Sequence, residues 1–264
     1  MLDFGFYNMD CMDGMKEFPD GFFDLAIVDP PYGINVGQMN MGACGGVAPD
    51  SNRSAKNYMP FGGKNSGGWR PMQIGGANPF GGRNSSRGRV FYDTKIYKAF
   101  DDSHTPDAAY FEELKRVAKD MIIFGGNYFL DHLGATECLI VWDKKRRGLN
   151  FADCEIAWTN IKQPCRIFEW KWNGMLQEDM KNKEYRIHPT QKPVALYKWL
   201  LEHYMPEGGC MLDTHVGSAS SLVACRELGF KYVGFEIDKD YYDMAKKRLD
   251  AAEAQGNIFD FIGG

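Results

Sequence analysis

The sequence predicts an α/β fold built on a mostly parallel, doubly wound sheet. Three observations carry that expectation. Residues 210–212, 218–228 and 231–237 read as strand, helix and strand, with Gly229 ending the helix. Residues 22–29 (FFDLAIVD) form an apolar run of strand formers that stops at Pro30-Pro31. From about residue 105 onward, strand-like and helix-like periods alternate, which is the pattern of β-α units around a parallel sheet.

The elements follow in order. Residues 105–119 have helical spacing, with Ala109, Leu114 and Val117 apolar and Thr105-Pro106 as the start. Residues 121–124 form a strand ended by Gly125-Gly126. Further strands are expected at 138–142, 154–158 and 166–172, the last alternating in part. Residues 193–204 read as an amphipathic helix opened by Pro193, and 239–253 as a closing helix with a polar face. No internal repeat is present.

Composition bounds the rest. The chain has 264 residues, 44% hydrophobic and 25% charged, with a net charge of −4. That suits one well-cored domain and points to no polyanion by itself. The distribution is more informative. Residues 33–98 hold nine Lys/Arg against Asp50 and Asp93, a net of +7 that leaves −11 on the remainder. From Gly33 to about Arg89 the chain is rich in Gly, Asn, Ser and Arg and has no hydrophobic period, as in a functional loop or a disordered segment. A basic segment on an acidic body suits a local polyanion contact, and equally a solvated loop. The seven cysteines are odd in number and scattered without a C-x-x-C pair, against a disulfide framework or zinc knuckle. No leader opens the chain and no apolar run approaches a membrane span, so a soluble, cytoplasmic protein is expected.

Three clusters carry chemistry. Asp29-Pro30-Pro31-Tyr32 closes a strand, where open α/β sheets bind ligands. A carboxylate and a proline-held carbonyl are two acceptors suited to an –NH2 group, and the ring suits stacking on a planar base. The bland alternative is a stiff turn with a surface tyrosine. Residues 212–220 (LDTHVGSAS) join a strand to a helix through Gly217, and Glu236 follows Asp213 by 23 residues. An acid near that spacing commonly accepts from ribose hydroxyls, although only one of the usual glycines is present. Residues 188–193 (HPTQKP) give a rigid polar loop before a helix, with His188 an ordinary surface residue by default.

Together the clusters resemble the beta class of amino-group DNA methyltransferases, whose catalytic motif precedes the cofactor motif. Asp29-Pro30-Pro31-Tyr32 matches its D-P-P-Y motif, and HPTQKP its loop before a cofactor-contacting helix. Residues 212–220 sit where the family has a turn like L-D-P-F-x-G-S-G-T. Phe235-Glu236-Ile237-Asp238 sits at its ribose-binding acid, and Asn8-Met9-Asp10-Cys11 looks like its N-terminal G-D-C element. The resemblance covers roughly residues 1–34 and 100–253. Thr214-His215 and Ala219-Ser220 depart from the family's usual Pro-Phe and Gly-Thr.

The resemblance implies a Rossmann-like S-adenosylmethionine-dependent fold with permuted motif order. It implies a single catalytic domain over residues 1–264, carrying the insert at 33–98 and a target-recognition region at 144–186. It implies site-specific methyl transfer to the N6 amine of a flipped adenine in double-stranded DNA, and it admits a homodimer. Asp29, Pro30, Pro31 and Tyr32 would be catalytic. Asp10, Cys11, Asp29, His188, Thr190, Lys192, Asp213, Thr214, His215, Gly217, Ser218, Glu236 and Ile237 would line the S-adenosylmethionine site, with no metal.

DNA would be held by the insert or by residues 144–175. The latter contain Lys144-Lys145-Arg146-Arg147 and then Trp170 and Trp172, for which a core role is expected. Methylation of cytosine N4, of RNA or of a protein amide, and cofactor-free nucleic-acid binding, remain the alternatives at the level of residues.

Overall fold

Strand β2 (Phe23–Val28) is apolar on both faces because both faces are covered. In the computed structural model of the chain, which describes residues 1–34, 98, 102–147, 152–173 and 176–262 with side chains to 252, Leu25 and Ile27 enter one core and Ala26 and Val28 the other. The insert expected at 33–98 lies almost wholly outside the described residues.

Among the described residues, β2 lies inside an eight-stranded sheet of order β1-β10-β9-β2-β3-β5-β4-β6. The members are β1 (Gly5–Tyr7), β2, β3 (Ala118–Phe124), β4 (Leu139–Asp143), β5 (Cys154–Thr159), β6 (Arg166–Glu169), β9 (Cys210–Asp213) and β10 (Lys231–Phe235). All pairs are parallel except those of β5, which runs antiparallel to both β3 and β4. A short antiparallel pair, β7 (Trp172–Asn173) and β8 (Leu176–Gln177), stands apart.

Helices α1 (Cys11–Met15), α2 (Ala108–Val117) and α3 (Leu130–Leu133) cover one face through Met15, Phe111, Leu114 and Leu133. Helices α4 (Val194–Tyr204), α5 (Ser220–Leu228) and α6 (Lys239–Ile262) cover the other through Leu196, Leu200, Leu222 and Leu249. The doubly wound, mostly parallel sheet expected from the sequence is therefore present. No helix among the described residues is long and apolar enough to cross a membrane.

Several boundaries differ from expectation, each for a local reason. Helix α2 starts at Ala108 rather than Thr105-Pro106, because Asp107 caps it, its side chain accepting from the Tyr110 amide at 3.1 Å. The strand expected at 166–172 breaks after Glu169. There the Lys171 amide turns to the Glu178 carboxylate at 3.0 Å and the chain leaves β4 for the β7–β8 pair. The strand expected to reach Ile237 ends at Phe235, whose carbonyl accepts from the Val216 amide at 3.0 Å. Helix α6 runs past residue 253 to Ile262. Helix α5 starts at Ser220 rather than 218, after Ala219 in the left-handed region at φ 61°, and ends at Gly229 (φ 76°) as expected. β1 and α1, too short for a periodic signal, were not anticipated.

The topology places a crevice. From β9 the chain crosses through α5 to β10 on one side, whereas from β2 it goes to β3 on the other. Between β9 and β2, paired at Leu25–Met211 and Ala26–Leu212, the winding direction reverses. Ligands in doubly wound sheets bind outside the carboxyl ends of strands at such a switch point. Asp29 follows β2 there, and Asp213 ends β9.

Candidate active site at the carboxyl ends of the strands

Asp29 lies at the crevice with both carboxylate oxygens engaged. Oδ1 accepts from the Tyr32 hydroxyl and Oδ2 from Lys192 Nζ. Tyr32 is held from several sides. Its backbone amide, with that of Gly33, donates to the buried Asp102 carboxylate at 2.7 and 3.2 Å. Gly125 permits its ring, since a Cβ there would overlap it. Burial first, then Asp29 and Glu155, push the Tyr32 phenol well above 10, so it stays protonated and donates.

Lys192 is only 4% exposed, and its Nζ also lies 3.2 Å from Glu155 Oε2 on β5. Glu155 is held in turn by Lys144 of the β4 end. Burial pulls the Lys192 ammonium down, but Asp29 and Glu155 outweigh it and raise its pKa. Burial opposes ionisation of Glu155, yet Lys192 and Lys144 bring its carboxyl down to about 2. The result is a chain of alternating charge, Lys144–Glu155–Lys192–Asp29. Its local cause is the HPTQKP loop, where the Lys192 carbonyl accepts from the Ser220 hydroxyl at 2.7 Å and Pro193 caps α4. Sequence reasoning missed Glu155 altogether.

The expected cofactor residues gather beside it. Glu236, just past β10, accepts from the amides of Gly217 and Asp238, each at 2.9 Å. Gly217 takes φ 54°, which favours glycine. Asn8 donates to the carbonyls of Glu236 and Ile237 at 2.7 and 3.2 Å, bringing the opening segment to the same edge. Asp10 caps α1 by accepting from the Met12 amide at 2.7 Å. Burial and Asp10 raise the Cys11 thiol to about 12, so it is no thiolate nucleophile. Ser218 Oγ lies 3.1 Å from Ser220 Oγ.

His188 is the main correction among these residues. Read as a surface residue, it is buried, edge-on to Tyr241 of α6, with Nδ1 2.9 Å from Thr190 Oγ1. Burial and then Lys192 and Arg186 bring it down to about 3, so it is neutral. His215 is likewise brought by burial to about 4, and Thr214 bonds both it and Tyr110 of α2, at 2.9 and 2.7 Å.

Asp213 is 3% exposed and bonded to the Ser221 hydroxyl and the His215 amide. Burial, tempered by those bonds and reinforced by Asp29 and Glu236, lifts it to about 7. A buried carboxyl raised by two neighbouring carboxylates favours a ligand carrying positive charge. A sulfonium bearing an amino group and a ribose has that character, so these residues fit S-adenosylmethionine.

The basic run at 144–147 is locally compensated. Lys145 pairs with Glu178 at 3.4 Å and Glu169 at 3.8 Å, and Arg147 with Asp143 at 2.7 Å. Trp172 is buried, as expected, and Trp170 packs against the same core.

Residues 141–247, spanning HPTQKP, the Asp213 turn and Glu236, match the DNA methylase family model. Over that segment the chain is similar to DNA methylases. The Asp29–Tyr32 motif lies upstream of the matched segment. Among relatives, the Type II methyltransferase M.HpaI of Haemophilus parainfluenzae is 42% identical over 81 residues, covering 31% of this chain and 25% of that protein. The DNA adenine methyltransferase YhdJ of Escherichia coli (strain K12) is 39% identical over 69 residues, 26% of this chain and 24% of that one. The chain thus matches about a quarter of the length of these curated relatives. The cytosine-N4-specific PvuII DNA methyltransferase shares the fold, with a TM-score of 0.50 at 10% identity over 94% of this chain and 90% of that one.

Proposed function

We propose that the protein transfers a methyl group from S-adenosylmethionine to the N6 amine of an adenine flipped out of double-stranded DNA. The observation that carries this is Asp29 of D-P-P-Y facing the switch-point crevice beside Asp213 and Glu236. The amino-group acceptor and the nucleoside-type site therefore share one opening. The aspartate of the motif, by the resemblance, favours adenine, and YhdJ is named an adenine enzyme.

S-adenosylmethionine, when bound, supplies the electrophilic methyl. Glu236 would accept from the ribose hydroxyls, and Asp10 and Cys11 would border the adenine end. His188 and Thr190 would close the loop side, and Asp213 with its turn would hold the charged end. On the substrate side, Asp29 accepts one N6 hydrogen and the Pro30 carbonyl the other, which aims the nitrogen lone pair at the methyl. The incoming amine replaces the Tyr32 hydroxyl at Asp29 Oδ1, while Lys192 holds the other carboxylate oxygen in place. The methylated nitrogen carries one proton too many, and Asp29 is placed to receive it. Tyr32 stacks on the extruded ring, an interaction of roughly 1–3 kcal/mol. Phosphate contact falls to the +7 segment at 33–98, since the charges at 145 and 147 are already paired.

The test is transfer of labelled methyl from S-adenosylmethionine to unmethylated duplex DNA, RNA and protein, followed by nucleoside analysis. The proposal expects label in N6-methyladenine from DNA. Label in cytosine, RNA or protein, or none anywhere, would reject it.

A further inference from the structure

We propose that Tyr128 is the second stacking plate of the target-base pocket, opposite Tyr32. This rests on the reading of the site as a base-flipping methyltransferase and names a residue which that reading leaves without a role. Tyr128 sits on the turn after β3, where Gly126–Tyr128 form one 3-10 turn. Its ring lies nearly parallel to that of Tyr32, with centroids 5.1 Å apart and planes 15° from each other. Among the described residues few large aromatic rings stand so open, since Tyr128 is 47% exposed. A half-exposed tyrosine stacked on the motif tyrosine is otherwise unexplained by packing, because the core beneath is already filled by Phe129.

The turn is built so that the ring can move while its base stays put. Gly125 abuts the Tyr32 ring, and its amide donates to the Ile156 carbonyl at 2.9 Å. A Cβ at Gly126 would overlap Trp158. Phe129 is 1% exposed. These positions are fixed, whereas Asn127 and Tyr128 face solvent.

Stacked bases lie about 3.4 Å apart, so a base between two rings needs about 7 Å from plate to plate. The present 5.1 Å is a closed slot. Tyr128 shields the Tyr32 face before DNA arrives, swings outward by side-chain rotation when the base enters, and restacks on its outer face. Two aromatic faces then offset the stacking that the flipped base leaves behind in the duplex.

The experiment uses the full chain with Tyr128→Ala and Tyr128→Phe, and duplexes carrying the recognition sequence mapped by modified-base sequencing. In one duplex the target adenine is paired with thymine, and in the other it faces a mismatched base. The proposal expects Tyr128→Ala to raise KM for the paired duplex about tenfold or more, by the usual weight of one stacking contact. It expects little change in kcat, and recovery of most of the loss on the mismatched duplex, where flipping is cheaper. Tyr128→Phe should behave as wild type, and affinity for S-adenosylmethionine should be unchanged in both variants. A Tyr128→Ala protein with no defect, or with the same defect on both duplexes, would overturn the role. Wild-type protein inactive on both duplexes would overturn the methyltransferase reading and this role with it.

Discussion

Lys192 Nζ lies 3.2 Å from Glu155 Oε2 while also bonding Asp29, so one buried ammonium is shared by a carboxylate on β5 and one just past β2. Of the groups facing Lys192, those two are anionic, and Lys144 sits beyond Glu155. Their combined pull raises the Lys192 pKa against the burial that lowers it. Glu155→Gln removes one of the two anions. The Lys192 pKa then falls, because less negative charge offsets desolvation. The alkaline limb of kcat/KM should move down toward neutral pH, and Lys192 should grip Asp29 alone, slowing turnover. Rates from pH 6 to 10, with circular dichroism to verify the fold, would show it. Superimposable profiles for wild type and Glu155→Gln would remove Glu155 from the machinery.

Asp213 gives a second pH signature. Its pKa is raised to about 7 in the folded protein by burial, with Asp29 and Glu236 adding to the shift. A cationic ligand favours the ionised form, so binding S-adenosylmethionine near pH 7 should release a proton from Asp213. Affinity should therefore rise from pH 6 to 8, by no more than about tenfold per unit for one proton. Calorimetry in buffers of different ionisation enthalpy would count the protons, and Asp213→Asn should abolish the release. Affinity independent of pH in the wild type would contradict the assignment.

The DNA contact can be weighed by salt. Each phosphate neutralised steepens the fall of affinity with salt by close to one unit of slope. Shortening the chain between Asn35 and Phe91 should flatten the slope, since the basic excess resides there. Lys145→Ala should change it little, because Lys145 already pairs with Glu178 and Glu169. A large change for Lys145→Ala and none for the shortened chain would move DNA to the 144–173 side.

What the sequence made legible was local. The strand before Asp29, the helix from Val194 and the unit from Cys210 to Phe235 all announce themselves as apolar runs bounded by Pro or Gly. The motifs fell on the ends of those runs. The misses share a cause, which is contact between residues far apart in the chain. Glu155 reads as one polar residue in a strand, and only the arrival of Lys192 from 37 positions away gives it a place in the site. His188 becomes a buried, neutral imidazole because Tyr241 of α6 covers it. The run of Lys and Arg at 144–147 looks like a phosphate cradle until Glu155, Glu178 and Asp143 take up its charges.

The central claim is that Asp29 presents adenine N6 to the methyl group. Cells lacking adenine methylation should be made to express wild type or Asp29→Ala, and their DNA sequenced for modified bases. The account predicts N6-methyladenine at one recurring sequence with wild type. It predicts none with Asp29→Ala, although the purified variant should still bind S-adenosylmethionine. Undiminished methylation with Asp29→Ala, or the modified base appearing as cytosine, would contradict it.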